Sequence, residues 1–461
     1  MLFEQHTHDD HSLTVLTDGW GTHDEVTLYL DRCQVDSSIN LVKLVWDQTS
    51  RIKKSFGKVV DFGAGDGRFA TLGDFKEYIG FEIDKSRCLS AQLPKNAKLT
   101  RACAFSTHID DADLCIGNPP YVRNQDLPTG WRQSAAELLK ERSGFALSGL
   151  ANAWQYFFLL ALLSTSDDGI VSLVIPYEWV SRPSSKRLRE YIRAQGWDVQ
   201  VYRLADSTFP RVLTTSSITI VNKRGRSSVW SFYSQEEGGE FVQLPSVTTR
   251  KSGILEYRRR KTSEIKLSAK RGLSPGTQRV FTLTESERAR LGLRINTDVV
   301  PCITSLRHLP DDVSSLSEAA FRKHYREAGK RCWLIRPDGE PSERLRVYLD
   351  SVGASLRDTA TCLNREVWWK FTMPKVPGLL ISSGFRGTRT KAVTNPLGAR
   401  AVGSVCGGYG GRKSQLARIS TLLRNKRLGD RVVAHSNGLK KLEINQLNTV
   451  LDEIVQSLAA N

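Results

Sequence analysis

The chain has 461 residues, of which 40% are hydrophobic, 25% charged and 8% aromatic. That length and balance suit two or three domains that each bury a core, and they exclude a disordered, collagenous or disulfide-scaffold protein. The formal net charge of +17 is unevenly placed: residues 1–225 hold 26 Lys and Arg against 27 Asp and Glu, whereas residues 226–461 hold 40 against 22.

A near-neutral half followed by a strongly basic half points to a catalytic module joined to one that binds a polyanion, the alternative being a solvated basic surface. No apolar run reaches the length of a membrane span, and the N-terminus lacks a basic-then-apolar signal pattern, so a cytoplasmic protein is expected. The eight cysteines include no C-x-x-C pair, which fits scattered thiols in a reducing compartment. Within an N-terminal extension (1–32), His6, His8, Asp10 and His11 are spaced like the ligands of metallo-β-lactamase-fold hydrolases. No strands precede them and no matching ligands follow, so a polar terminus and no metal are expected.

The elements follow in chain order. A helix is expected over Ile39–Lys54, opened by residues 34–38, where Ser37 or Ser38 can cap it. Residues 58–62 form a short strand that runs into a glycine-rich turn with Asp61, Gly63, Gly65 and Gly67, followed by a helix whose N-terminus offers unpaired N–H groups. Such a turn serves NAD, FAD, a nucleotide or S-adenosylmethionine, or is only a tight turn. A second strand over residues 78–84 ends in Glu82 and Asp84; an acidic group there accepts both hydroxyls of a ribose, or else caps the next helix. A third strand within residues 113–121 ends in Asn118, Pro119, Pro120 and Tyr121. The prolines fix the backbone and leave the preceding carbonyls outside the ladder. The Asn118 side-chain oxygen and the Pro119 carbonyl then become two acceptors aimed at one point, suited to an exocyclic amine, while Tyr121 lies flat against the ring that bears it. The alternative is a rigid Pro-Pro turn. Residues 151–164 read as a buried helix, 168–179 contain a strand, Ser184–Gln195 reads as a basic amphipathic helix, and 198–204 and 216–223 read as two strands. This alternation implies an α/β fold with a mostly parallel sheet covered on both faces. From residue 226 the rhythm gives way to short strand-like runs, with helical segments near Ser315–Gly329, Gln415–Arg427 and Ile444–Leu458, which reads as a mixed α+β domain.

In the order DFGAGDG, GFEID, IGNPPY the chain resembles the amino-methyltransferases that methylate exocyclic nitrogens. Over about residues 33–225 it is most similar to the gamma-class DNA adenine methyltransferases of bacterial restriction–modification systems. The resemblance implies a Rossmann-like class I methyltransferase domain at 33–225, a DNA-binding target-recognition domain at 226–461, and S-adenosylmethionine as cofactor. It assigns cofactor contacts to Asp61, Gly63, Gly65, Gly67, Glu82 and Asp84, and catalysis to Asn118, Pro119, Pro120 and Tyr121. Pro176 and Trp179 match the end of a family strand. Thr208, Phe209 and Pro210 resemble the segment whose aromatic stacks on the other face of the target base, a role carried to Phe209. Residues 438–447 resemble the family's closing segment. Two positions depart from the pattern. Ser37 stands in the segment that usually carries Thr-Pro for the methionine part of the cofactor. Cys103 stands where an Asp often meets the cofactor's adenine, and a thiol is a poor acceptor.

The chemistry so implied needs no metal and no covalent intermediate, but the base must leave the duplex. Pro301 and Cys302 lie far beyond the catalytic motifs and read as a buried strand end, not as a cytosine-C5 nucleophile. Candidate DNA contacts are Arg258, Arg259, Arg260 and Lys261, the aromatic-basic stretch with Arg365, Trp368 and Lys370, then Arg386, Arg389, Arg412 and Lys413. Double-stranded DNA is the expected partner of a monomer, with any cognate restriction endonuclease on a separate chain. RNA adenine, DNA cytosine-N4 or a protein glutamine amide as target, and an inactive binding protein, stay open as alternatives.

Overall fold

The computed structural model describes residues 36–205, 208–209, 215–236, 239–244, 267–432, 434–436 and 439–459. The chain forms two compact units, one of Met1–Ser252 with His435–Asn437 and one of Gly253–Ala434 with Gly438–Asn461. The metal-like string at residues 6–11 and the cluster Arg258–Lys261 lie outside the described residues.

The first unit is built on one sheet. Its strands are β1 (Phe56–Phe62), β2 (Phe75–Glu82), β3 (Ala97–Arg101), β4 (Ala112–Gly117), β5 (Thr165–Pro176), β6 (Asp198–Arg203), β7 (Ser216–Asn222), β8 (Trp230–Gln235) and β9 (Phe241–Leu244), in spatial order β3-β2-β1-β4-β5-β7-β6-β8-β9. β1 pairs in parallel with β2 and β4, and β4 with β5, while β7 runs antiparallel between β5 and β6. This is the mostly parallel, Rossmann-like class I methyltransferase sheet expected from the sequence. The central strands are apolar on both faces because helices cover both. Helix α1 (Ile39–Ser50) is capped by Ser38, whose Oγ accepts from the Leu41 N–H at 3.3 Å. Its buried stripe includes Leu41, Val42, Val45 and Trp46, and the Trp46 indole donates to the Phe69 carbonyl at 2.9 Å. Helices α2 (Lys85–Ser90), α3 (Thr129–Ser143), α4 (Ala153–Ser164) and α5 (Lys186–Ala194) complete the unit. α4 is buried almost all round, as its unbroken apolar run requires.

Three features differ from expectation. The glycine-rich turn leads into a single 3-10 turn, Arg68–Thr71, not a helix. β2 begins at Phe75, so after the three glycines only residues 68–74 remain before the strand, too few for a helix of ordinary length. β3 was not foreseen because its sequence AKLTR, an edge strand open to water, carries no apolar run. The sheet also continues past residue 225: β8 pairs in parallel with β6, from Val199↔Trp230 to Arg203↔Ser234, and β9 pairs with β8.

The second unit holds a sheet of β10 (Ser268–Lys270), β17 (Val405–Tyr409), β14 (Leu379–Ser382) and β15 (Ala392–Thr394), and another of β11 (Thr282–Leu283), β13 (Trp333–Ile335), β12 (Val299–Ile303) and β16 (Arg400–Ala401). The helices Lys413–Asn425 and Ile444–Ala459 pack on the first of these, the latter through Asn448, whose amide accepts from and donates to the backbone of Ala269. Cys302 is fully buried on β12, as the reading of a strand end anticipated.

Candidate active site

β1 has β2 on one side and β4 on the other, so strand order reverses beside it, and it is at the carboxyl ends of strands at such a switch point that open α/β sheets take their ligands. The glycine turn lies there. Gly63, Gly65 and Gly67 have φ of 83°, 61° and 73°, left-handed values that an L side chain resists, and the Gly63 and Ala64 N–H groups both donate to the Phe81 carbonyl. The Gly65 N–H donates at 2.8 Å to Glu82 Oε2, and the Asp84 N–H at 2.9 Å to Glu82 Oε1. Burial pushes the Glu82 carboxyl above its usual range. The carboxylate retains acceptor capacity for a hydroxyl. Asp84 does other work: its Oδ1 accepts from the Ser86 N–H at 2.8 Å and caps α2. Of the two acidic residues, Glu82 therefore faces the glycine turn.

Asp61, the last but one residue of β1, is 1% exposed. Its Oδ2 accepts from the Tyr78 hydroxyl at 2.7 Å, and its Oδ1 is buried with no hydrogen-bond partner among the described residues. Burial, opposed by the Tyr78 hydrogen bond and aided by the Glu82 charge, lifts its carboxyl to about 7. Because the folded state holds this proton more tightly than the unfolded chain, the contribution to stability is complete below about pH 4 and is lost as pH rises through 7. The melting temperature should accordingly fall between pH 5 and pH 8, and Asp61→Asn should flatten that slope. Thermal unfolding across this range checks it; a slope unchanged in Asp61→Asn refutes it.

β4 delivers the third component. Its ladder to β5 ends at Gly117↔Leu173, and Asn118, Pro119, Pro120 and Tyr121 follow. The Asn118 Nδ2 donates to Ser37 Oγ at 3.2 Å, which brings the segment before α1 to the Asn-Pro-Pro-Tyr motif. The Tyr121 hydroxyl donates to the Val174 carbonyl at 2.9 Å and lies 3.4 Å from Ser216 Oγ, so the ring is anchored at its far end to β5 and β7. Burial pushes the Tyr121 phenol well up, keeping it neutral. A Cβ placed on Gly63 would meet Pro120 at 3.6 Å and Phe157 at 3.7 Å, so the glycine turn, the Pro-Pro corner and Phe157 adjoin. Phe157 meets Phe105 edge-on at 5.0 Å between centroids.

Sequence reasoning missed Phe157, Phe105 and Tyr78. Phe157 is half-buried in a helix whose unbroken apolar run reads as core throughout, so the sequence gives it no distinguishing signal. Cys103 sits just before Phe105 as a buried thiol whose pKa is raised by desolvation, so it is an uncharged neighbour and not a replacement acid. Phe209 is 7% exposed within the core cluster with Tyr202, Leu204 and Ile218. Its ring is buried by the hydrophobic effect, and stacking on a base would require it to turn out of that cluster.

In the second unit, the Arg365 guanidinium lies 5.7 Å from the Phe281 ring and 5.2 Å from the Phe371 ring and donates to the Trp368 carbonyl at 3.1 Å. Trp368 packs edge-on against Phe281. These two residues are built into the unit's packing. Lys370, Arg386, Arg389, Arg412 and Lys413 are exposed. Arg386 and Arg389 sit on a hairpin whose backbone is pinned by Thr390 Oγ1 to the Ser382 carbonyl, Lys440 Nζ to the Gly387 carbonyl and the Gly429 N–H to the Thr388 carbonyl.

Among the described residues no helix is long and apolar enough to cross a membrane. Comparison with known proteins places these residues in context. The Eco57I restriction-modification methylase family matches residues 79–207, which hold Glu82 and Asn118–Tyr121. The type II methyltransferase M.BanIII of Aneurinibacillus aneurinilyticus is 23% identical over 186 residues, 40% of this chain and 28% of that protein. The type II methyltransferase M.XamI of Xanthomonas campestris pv. amaranthicola is 27% identical over 177 residues, 35% of this chain and 33% of that protein. The alignments thus span about a third or less of these relatives' own length. The crystal structure of the type IIG restriction endonuclease BpuSI superposes with a TM-score of 0.43 at 14% identity, covering 94% of this chain and 62% of that one. Over residues 79–207 the chain is therefore similar to the restriction-modification DNA methylases of the Eco57I family, and that stretch contains the whole Asn-Pro-Pro-Tyr motif.

Proposed function

We propose that this protein transfers a methyl group from S-adenosylmethionine to the N6 amine of an adenine flipped out of duplex DNA, in a restriction–modification system. The observation that carries this reading is the meeting, at the carboxyl ends of β1, β2 and β4, of the glycine turn, the buried Glu82 carboxylate and Asn118–Tyr121. The polar groups suit the cofactor: Glu82 keeps acceptor capacity for a ribose hydroxyl, Asp61 Oδ1, without a hydrogen-bond partner among the described residues, suits an ammonium or hydroxyl, and the glycine turn admits close approach. When bound, S-adenosylmethionine supplies an electrophilic methyl on a sulfonium. An adenine amine is a poor nucleophile because its lone pair is delocalised into the ring. Asn118 Oδ1 and the Pro119 carbonyl accept its two N–H groups, localise that pair and hold the nitrogen in line for attack, so positioning and electrostatics do most of the work. Tyr121, anchored through its hydroxyl, offers a fixed face for the base.

The test is transfer of label from methyl-labelled cofactor to duplex DNA, followed by mass spectrometry of the nucleosides. N6-methyladenine is the expected product; N4-methylcytosine, or transfer to structured RNA alone, would overturn the adenine-in-DNA reading.

The basic second unit is assigned to DNA. Arg386→Glu with Arg389→Glu should weaken duplex binding at least about tenfold near 0.1 M salt and make the dependence of log affinity on log salt shallower by about two phosphate contacts. Filter binding over a salt series checks this, and an unchanged slope removes these arginines from the interface.

A further inference from the structure

We propose that Ser37 is a positioning residue for Asn118 and acts through that amide, not on the cofactor; the inference rests on the methyltransferase reading above. The Asn118 amide has a donor end and an acceptor end, and a half-turn about its last bond exchanges them. Only one of the two orientations presents Oδ1, itself buried, to an incoming amine. With Oδ1 receiving an N–H, the Nδ2 end must face an acceptor. The Ser37 hydroxyl stands there at 3.2 Å, and Ser37 is 5% exposed, so water has little access to replace it.

Ser37 is itself held from three directions. Its carbonyl accepts from Arg68 Nη1 at 2.5 Å. The preceding Asp36 carboxylate lies 2.6 Å from Arg87 Nη1 and 3.5 Å from Arg68 Nη2. The following Ser38 caps α1. Arg68 directly follows the glycine turn, and the Arg87 guanidinium comes within 3.3 Å of a Cβ built on Gly65, so the strap that carries Ser37 is tied to the cofactor loop while its hydroxyl reaches the catalytic amide. A group fixed in this way orders its neighbour without an entropic cost during reaction.

The two roles for Ser37 separate in kinetics. Ser37→Ala should lower kcat for methyl transfer about 10- to 100-fold, as the loss of orientation does, and leave the KM for cofactor and for DNA within about twofold. Calorimetry should find an unchanged Kd for S-adenosylmethionine, which also shows that the variant is folded. Ser37→Thr, which keeps the hydroxyl, should restore most of the rate. The inference is overturned if Ser37→Ala weakens cofactor binding while kcat holds, or if Ser37→Thr is as slow as Ser37→Ala. Failure of the parent reading is distinct: the natural protein would then transfer no methyl to duplex DNA, and this inference would fall with it.

Discussion

Asn118→Ala is expected to lower methyl transfer by about 10²- to 10³-fold, the loss typical of removing one preorganised polar group from a transition state. The substitution takes away the acceptor that localises the amine lone pair, and it releases the Ser37 hydroxyl at the same time. It should leave the cofactor pocket intact, because Glu82 and the glycine turn are held by backbone hydrogen bonds that do not involve Asn118. Single-turnover transfer at saturating cofactor, set beside calorimetric cofactor binding, separates these effects. A variant within about threefold of the natural rate would show that Asn118 is not an acceptor in the reaction.

Gly117→Ala carries the largest expected cost to stability, about 3 kcal/mol or more, from backbone strain and overpacking together. Gly117 has φ of 149°, and a Cβ there would stand 2.2 Å from Asp61 Oδ1. The carboxylate cannot simply swing away, since its other oxygen is tied to Tyr78 and the whole side chain is buried. Either Asp61 gives up that hydrogen bond or the end of β4 shifts and carries Asn118 with it. Denaturant unfolding measures the loss, and Gly117→Ala combined with Asp61→Ala should recover part of it by removing the clashing group. A single variant as stable as the natural protein, or a double variant with no recovery, would mean that the close approach of β1 and β4 is not what makes glycine necessary here.

Much of the site was legible in the chain. Glycines at 63, 65 and 67, an acid at the tip of the next strand and Asn-Pro-Pro-Tyr after a further one each have a local chemical reason, and they announced a nucleotide-like cofactor beside an amine-binding corner. The runs at 58–62 and 216–223 likewise announced strands, and the apolar run at 171–175 announced one buried on both faces, because an apolar sequence agrees with a covered environment. The basic second half followed from counting charges.

Other features depended on contacts between residues distant in sequence. Nothing near Glu82 and Asp84 says which one faces the glycine turn; the backbone N–H of Gly65 decides it. The edge strand at 97–101 has no pattern of its own and exists because β2 offers it a partner. The aromatic stretch around Arg365 and Trp368 reads as a nucleic-acid surface in one dimension, whereas in three both residues also meet the ring of Phe281. Ser37 and Asn118 stand 81 positions apart, and only the fold makes them neighbours. The sequence by itself determined the central strands, the glycine turn and the Asn-Pro-Pro-Tyr corner, because each is written in local spacing and residue type. The tertiary structure alone decided which side chains share a hydrogen bond or a ring face, because hydrogen bonding and packing act over a few ångströms and take no account of distance along the chain.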